Sequence, residues 1–328
     1  MQQTHVEELF EWIDEAATAI EYQENTTYLE SVADALDVLY HYAPFDDMAD
    51  LLKQQLEKHL KEIDLNKFEK EEIRKATQLA ILKGMKGATQ QQHLITPDTV
   101  AMFMGYLTQR LFKNAQELRI FDPACGTANL LTAVLNQLDK QVAAYGSDVD
   151  ETLMKLALAN ANLQKTEIEF FHQDSLRPFL LEPVDFVLAD LPVGYYPDDV
   201  QAEEYKLKAE DGHSYAHHLF IEQSLRYTKQ GGYLMFVIPN FLFESDQATQ
   251  LNAFLREHAH IVGMLQLPEA LFKEEKHAKS ILVLQKKGKG TEAPKEALLA
   301  KLPSFKNHNA MADILAQINQ WFEKNHSS

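Results

Sequence analysis

The run FDPACGTANLL, from Phe121 to Leu131, constrains the chain more than any other stretch. Apolar strand-forming residues lead into a turn of small residues, and a helical pattern follows without a break. Asp122 closes the strand. Ala124, Gly126 and Ala128 keep the turn free of bulk so that a ligand can approach the backbone, and the first amides of the next helix lie open to a carboxylate or phosphate. Asp148 follows Gly126 by 22 residues, at the end of a second strand from Gln141 to Ser147. A doubly wound sheet places an acceptor for ribose hydroxyls there. Turn and acid together imply a ligand that contains adenosine. A dinucleotide fingerprint is excluded, because Asn129, Leu130 and Leu131 follow Gly126-Thr127-Ala128 where further glycines are required, and no Walker lysine is present.

The pattern along the chain changes near residue 88. From Val6 to about Leu82 apolar residues recur at helical spacing, as in Leu9, Ile13, Ala16 and then Val32, Ala35, Leu36, Leu39, with Pro44 as a break. This predicts a helical N-terminal domain over residues 1–88, with the polar, turn-rich segment Lys83 to Leu94 as a hinge. Beyond it, strands at Arg119–Phe121, Gln141–Ser147, Ile168–Phe171, Phe186–Ala189 and Tyr233–Ile238 alternate with helices, which predicts a parallel sheet with right-handed crossovers over residues 89–290. Two late strands, Ile261–Gln266 and Ser280–Gln285, are joined by a link too short for a helical crossover and should pair antiparallel. Residues 291–328 read as a lysine-rich segment and a helix.

Charge limits the choice of partners. The net charge of -18 opposes tight unaided binding to nucleic acid, which needs clustered Lys and Arg. It is unevenly spread: residues 1–50 hold 13 Asp and Glu and no Lys or Arg, whereas residues 276–306 hold eight Lys against two Glu. The first end is an acidic surface and the second could meet phosphates or an acidic partner, although solvated helix faces account for either run equally well. No apolar run approaches the roughly 18 residues of a membrane span, and the acidic start MQQTHVEELFEW lacks the bases of a targeting segment. A cytoplasmic location without membrane partners is expected. The lone Cys125 excludes an internal disulfide or a cysteine metal cluster. His213, His217, His218 and Glu222 lack a third ligand on one face, so they read as helix-surface residues and no metal is expected.

Pro123-Ala124-Cys125-Gly126 resembles motif I of the class I S-adenosylmethionine (SAM) methyltransferases. More narrowly it is similar to the N6-adenine DNA methyltransferases and the modification subunits of type I restriction systems, and most of all to their stand-alone YtxK-like members. The segments HSYAHHLFIEQSL, TKQGGYLMFVIPNFLF, LQLPEALF and KSILVLQKK match in order and spacing, so the resemblance covers roughly residues 90–287. It implies an α/β fold: a Rossmann-like, seven-stranded methyltransferase sheet, mostly parallel with its last strand antiparallel, beside an N-terminal helical domain.

The resemblance also implies roles. SAM would be held by Asp122, Pro123, Ala124, Gly126, Thr127, Asn129 and Leu130 of the turn, by Asp148 and Val149 at its ribose, and by Asp174 and Ser175 at its adenine. Thr96 would lie against the methionine part, although Thr96-Pro97 also suits a helix cap, and Asp174 also suits a turn before Pro178. Asp190 would border the methyl group. Amino methyltransferases carry Asn or Asp, then Pro-Pro and an aromatic, at the end of the fourth strand: the acid or amide and a backbone carbonyl accept the amine hydrogens while the aromatic holds the extruded base. Here Asp190 and Pro192 fit, Leu191 and Val193 depart from the pattern, and Tyr195 or Tyr196 would supply the aromatic. The catalytic set is therefore Asp190, Pro192, Tyr195 and Tyr196. The implied activity is methyl transfer from SAM to an adenine amino group. Alternatives are an RNA, protein or small-molecule acceptor, or a catalytically silent SAM-binding module. After Gln285 the chain is too short for a large recognition domain, so nucleic acid would be bound weakly by the chain alone and a specificity partner protein would complete it.

Overall fold

The computed structural model describes residues 4–86, 95–178 and 180–325. From position 87 onward the expected hinge, with His93 and Leu94, lies outside the described residues.

Four helices open the chain: α1 (His5–Glu24), α2 (Tyr28–His41), α3 (Asp50–Leu60) and α4 (Lys70–Gly84). Thr4 with Glu7 and Thr27 with Glu30 form capping boxes that satisfy orphan amides at the starts of α1 and α2. Asn25 and Tyr42 end them in the left-handed conformation, their amides returning to the Glu21 and Val38 carbonyls. The apolar stripes read from the sequence turn inward: Leu9, Ile13, Ile20, Leu36, Leu39, Leu52 and Ile81 are buried in one core. Truncating Leu36 or Leu39 to Ala would cost about 2–5 kcal/mol.

The remainder alternates: α5 (Asp98–Leu111), β1 (Glu117–Asp122), α6 (Asn129–Leu135), β2 (Gln141–Asp148), α7 (Glu151–Leu163), β3 (Ile168–His172), β4 (Val184–Asp190), the single turn α8 (Asp199–Ala202), α9 (Ala216–Tyr227), β5 (Thr228–Pro239), α10 (Ala248–His258), β6 (Ala259–Gln266), β7 (Lys279–Lys286), β8 (Leu298–Lys301) and α11 (His308–Asn325). The strands are ordered β3-β2-β1-β4-β5-β7-β6-β8 in one sheet. β4 runs parallel to both β1 and β5. Its continuous apolar run, Phe186 to Ala189, is buried throughout, as expected for a strand covered on both faces. The short link makes β6 and β7 antiparallel, with Ile261 opposite Leu284 and Leu265 opposite Ile281.

The seven expected strands are present and the last of them, β7, is antiparallel to both β5 and β6; the one addition is an eighth strand, β8, which pairs parallel to β6 at the sheet edge. β8 is four residues long and set in a lysine-rich stretch, so no alternating pattern announces it. Gly263 admits it, since a Cβ there would lie 2.9 Å from the Leu298 carbonyl oxygen.

By backbone proximity the chain forms two compact units that interleave in sequence. The first comprises Met1–Ala101, Cys125–Asn136 and Gly146–His172, and the second comprises Met102–Ala124, Gln137–Tyr145 and Gln173–Ser328. In the first, Leu156, Ala159 and Leu163 of α7 share the core of the N-terminal helices. In the second, Phe121, Val187, Phe236 and Leu282 of the strands pack with Leu219, Ile221 and Leu251 of α9 and α10. Among the described residues no helix is long and apolar enough to cross a membrane.

Candidate active site

Within the first unit the small-residue turn takes the shape its composition permits. Gly126 and Ala128 both adopt positive φ, 53° and 56°. Glycine adopts this conformation freely, whereas Ala128, which carries a Cβ, does so at a cost of about 1–2 kcal/mol. The Cys125 amide donates to the Ser147 carbonyl at 3.0 Å. The Gly126 amide donates to Asp148 Oδ2 at 2.9 Å, and the Asp150 amide donates to Oδ1 at 3.1 Å. Asp148 is thus fixed against the turn at the end of β2, and Val149 beside it is exposed. Thr127 is buried, and its carbonyl accepts from Asn160 Nδ2 at 3.3 Å. α6 has only seven residues, so its dipole adds little.

Asn129 and Leu130 are buried at the start of α6. Asn129 Nδ2 donates to the Thr96 carbonyl at 3.4 Å, which joins two of the expected cofactor residues. Its Oδ1 accepts from Arg74 Nη1 at 2.8 Å. Arg74, on α4, is fully buried and also donates to both carboxylate oxygens of Glu71, at 2.9 and 2.8 Å, and to Asp98. Burial alone would raise the Glu71 carboxyl, but hydrogen bonds from Arg74 and Asn136 outweigh it and hold the carboxyl below the usual range. Sequence reading missed Arg74. In the fold Arg74, Thr77, Gln78 and Ile81 form a second buried stripe on α4, beside the apolar one.

Within the second unit, Asp122 is buried at the end of β1 and its Oδ1 accepts from the Ala124 amide at 3.1 Å, with Pro123 buried between them. Asp174 Oδ1 accepts from the Leu176 amide at 2.9 Å, and its Oδ2 accepts from the Tyr196 hydroxyl. Burial and that hydrogen bond push the Tyr196 phenol well up. Tyr196 is therefore a buried support for Asp174. Ser175 is buried beside it, its carbonyl accepting from Gln223 Nε2 at 2.9 Å.

Asp190 ends β4 and accepts a hydrogen bond from Lys279 Nζ, on β7, at 2.7 Å. Both side chains are largely buried, 15 % and 9 % exposed. The Leu191 amide donates to the Val237 carbonyl at 3.1 Å. Proline has no amide hydrogen and could not make that bond, so the departure at Leu191 has a structural role. Pro192 is exposed. The loop that follows is tied to the segment before α9: the Tyr196 amide donates to the Ser214 carbonyl at 2.8 Å and the Ala216 amide donates to the Gly194 carbonyl at 2.9 Å.

These ties leave Tyr195 as the exposed aromatic of the loop, stacked on Tyr215 with ring centres 5.0 Å apart. Tyr215 stacks in turn on His217 at 5.1 Å, and the half-exposed Phe241 meets the His217 ring edgewise at 6.3 Å. His217 and His218 are fully buried, not on the helix surface as expected. None of their four ring nitrogens has a hydrogen-bond partner among the described residues. Burial pushes His217 down to about 3 and His218 to about 4, so both are neutral. No group of three or more His, Cys, Asp or Glu among the described residues is arranged to hold a metal ion.

A sheet that carries an acid at the end of β2, a small-residue turn after β1 and an acid at the end of β4 defines a class I methyltransferase fold. The chain belongs to the N-6 DNA methylase family, whose model matches residues 82–325, and a YtxK N-terminal helical domain matches residues 7–85. It is 49% identical over 328 residues to the uncharacterized protein YtxK of Bacillus subtilis, covering 99% of each chain. The crystal structure of a proposed class I SAM-dependent methyltransferase from Listeria monocytogenes superposes with a TM-score of 0.91 at 42% identity, over 97% of this chain and 99% of that one. A type I restriction-modification methyltransferase subunit from Streptococcus thermophilus shares the fold with a TM-score of 0.65 at 15% identity, over 98% of this chain and 76% of that one.

Proposed function

We propose that the chain is a SAM-dependent methyltransferase that transfers a methyl group to the N6 amine of adenine in DNA. The observation that carries this reading is the Asp190 carboxylate, held at the end of β4 in a family whose model spans most of the chain. The donor set suits the cofactor: Asp148 offers a fixed carboxylate to ribose hydroxyls, and the turn at Gly126 and Ala128 is free of bulk. Thr96, Thr127, Asn129, Leu130 and Val149 accompany them, while Asp122, Pro123, Ala124, Asp174 and Ser175 are the further cofactor residues. SAM supplies, when bound, a sulfonium methyl group open to attack by a nitrogen lone pair.

An exocyclic amine conjugated to its ring is a poor nucleophile. Asp190 accepts one of its hydrogens and the Leu191–Pro192 backbone accepts the other, which directs the lone pair out of the ring plane. Tyr195 offers the exposed ring face on which a base can stack. Tyr196 supports Asp174 and takes no part at the base.

Charge supports a partner for specificity. With a net charge of -18 the chain alone should hold duplex DNA no more tightly than about 10⁻⁴ to 10⁻⁶ M at physiological salt, the range of non-specific binding. The same charge, with Leu191 and Val193, favours a second reading in which the acceptor is RNA, a protein or a small molecule. Transfer of labelled methyl from SAM to DNA, RNA and protein pools in parallel decides between them. Label in DNA at adenine supports the first reading, and label confined to another pool supports the second.

A further inference from the structure

Lys279 is the least expected member of the acceptor site. Its side chain is nine-tenths buried, on the first residue of β7 opposite Pro239 of β5. Asp190 is its one side-chain hydrogen-bond partner among the described residues. An ammonium carries three N–H donors, so two remain without an acceptor among the described residues. Burying such a group is costly unless its donors are met. An ion pair alone does not require this position, since a buried pair adds little net stability over apolar packing.

The two heads lie 2.7 Å apart and present, side by side, an acceptor and a donor. That is the complement of an amine flanked by a lone-pair atom. The rings about the same loop, Tyr195 on Tyr215, Tyr215 on His217, and Phe241 against His217, favour a flat heterocycle over a flexible amide.

We propose that Lys279 is a specificity-determining residue of the acceptor site: it donates a hydrogen bond to the ring nitrogen next to the amine that Asp190 holds. The inference rests on the reading of the chain as an adenine methyltransferase. It adds that the site selects bases by a paired contact, amine to Asp190 and ring nitrogen to Lys279. A base with a donor in place of that ring nitrogen meets the ammonium with like polarity and is rejected.

The test uses the full chain saturated with S-adenosylhomocysteine and labelled oligothymidylate strands carrying one central adenine, 1-deazaadenine or 7-deazaadenine, read by fluorescence anisotropy at low salt. Each deaza base keeps the amine and lacks one ring nitrogen. The wild type should bind the adenine strand roughly tenfold more tightly than one of the two deaza strands, the usual worth of a hydrogen bond to a charged group. Lys279→Met should bind those two strands equally, and Lys279→Arg should restore part of the discrimination. Equal binding of all three strands by the wild type would overturn the proposal without any variant having to fold, as would full discrimination retained by Lys279→Met. Binding of none of the strands, or Lys279-dependent binding of a glutamine peptide in their place, would overturn the base as its partner. Calorimetry of S-adenosylhomocysteine is run alongside: no binding there would show that the cofactor reading underneath had failed.

Discussion

Arg74 Nη1 donates to Asn129 Oδ1 at 2.8 Å, so a fully buried guanidinium on the fourth N-terminal helix holds the first residue of α6, directly after the small-residue turn. The same guanidinium is clamped by Glu71 and Asp98, whose side chains are 29 % and 36 % exposed. Arg74→Met would remove the guanidinium donor from both acids and from Asn129, leaving Glu71 only its bond from Asn136. Because the acids keep some access to water, the expected loss is about 2–4 kcal/mol, toward the lower end for breaking a buried pair. Urea unfolding measures it. Arg74→Lys should recover little, since a point charge cannot reach three acceptors in fork geometry.

Asp148 carries the cofactor half of the reading. Asp148→Ala removes the proposed ribose acceptor together with the bond that fixes the Gly126 amide. SAM affinity should fall by roughly 1–3 kcal/mol, the usual cost of leaving buried polar groups unpaired. Isothermal calorimetry on the variant checks this, and an unchanged affinity would place the ribose elsewhere.

Asp190 and Lys279 should behave as a coupled pair. Asp190→Ala should lower methyl transfer by roughly a hundredfold or more, with SAM affinity changed only a few-fold. It should also cost about 3–5 kcal/mol of stability, because the Lys279 ammonium stays buried and unpaired. Adding Lys279→Met to Asp190→Ala removes the stranded charge and should recover most of that stability without restoring activity. Denaturation of the two single variants and the double variant gives the coupling energy directly.

Much of this was legible in the sequence, for identifiable reasons. The turn at Gly126, the acid at Asp148 and the acid at Asp190 are set by local chain geometry: small residues permit positive φ, and strand ends aim their last side chains. Helix faces such as Leu9, Ile13 and Leu36 follow from period alone. What the sequence concealed depends on distant partners. Lys279 stands 89 residues from Asp190, and Arg74 stands 55 from Asn129. Lys279 falls in a lysine-rich run, and Arg74 is one of several charged residues of its helix, so neither stands out by order. Order could not tell which of Tyr195 and Tyr196 is buried either; the structure buries Tyr196, which donates to Asp174, and exposes Tyr195. The burial of His217 and His218 was missed because α9 packs on more than one face, and periodicity assigns a helix only one.

The two buried histidines set an acid limit. Their folded values, about 3 and about 4, lie below the ordinary imidazole value of 6.5, so on acidification the unfolded chain takes up protons that the folded chain refuses. Their contribution is whole above pH 6.5 and is lost as pH falls from there toward 4. Between pH 6.5 and 5 each histidine should lower stability with a limiting slope of about 1.4 kcal/mol per pH unit. Urea unfolding across that window should show the slope, and replacing His217 with Phe should remove about half of it. A wild-type stability that stays level from pH 6.5 to 5 would show that the folded chain accommodates the charge.

The central claim is methyl transfer to adenine through Asp190. The most direct measurement is the transfer of labelled methyl from SAM to DNA by the wild type and by Asp190→Ala, with the labelled base identified by nucleoside chromatography. The account predicts label in N6-methyl-2′-deoxyadenosine for the wild type and none above background for Asp190→Ala at equal SAM occupancy. Label on another base, or equal transfer by both proteins, would contradict it.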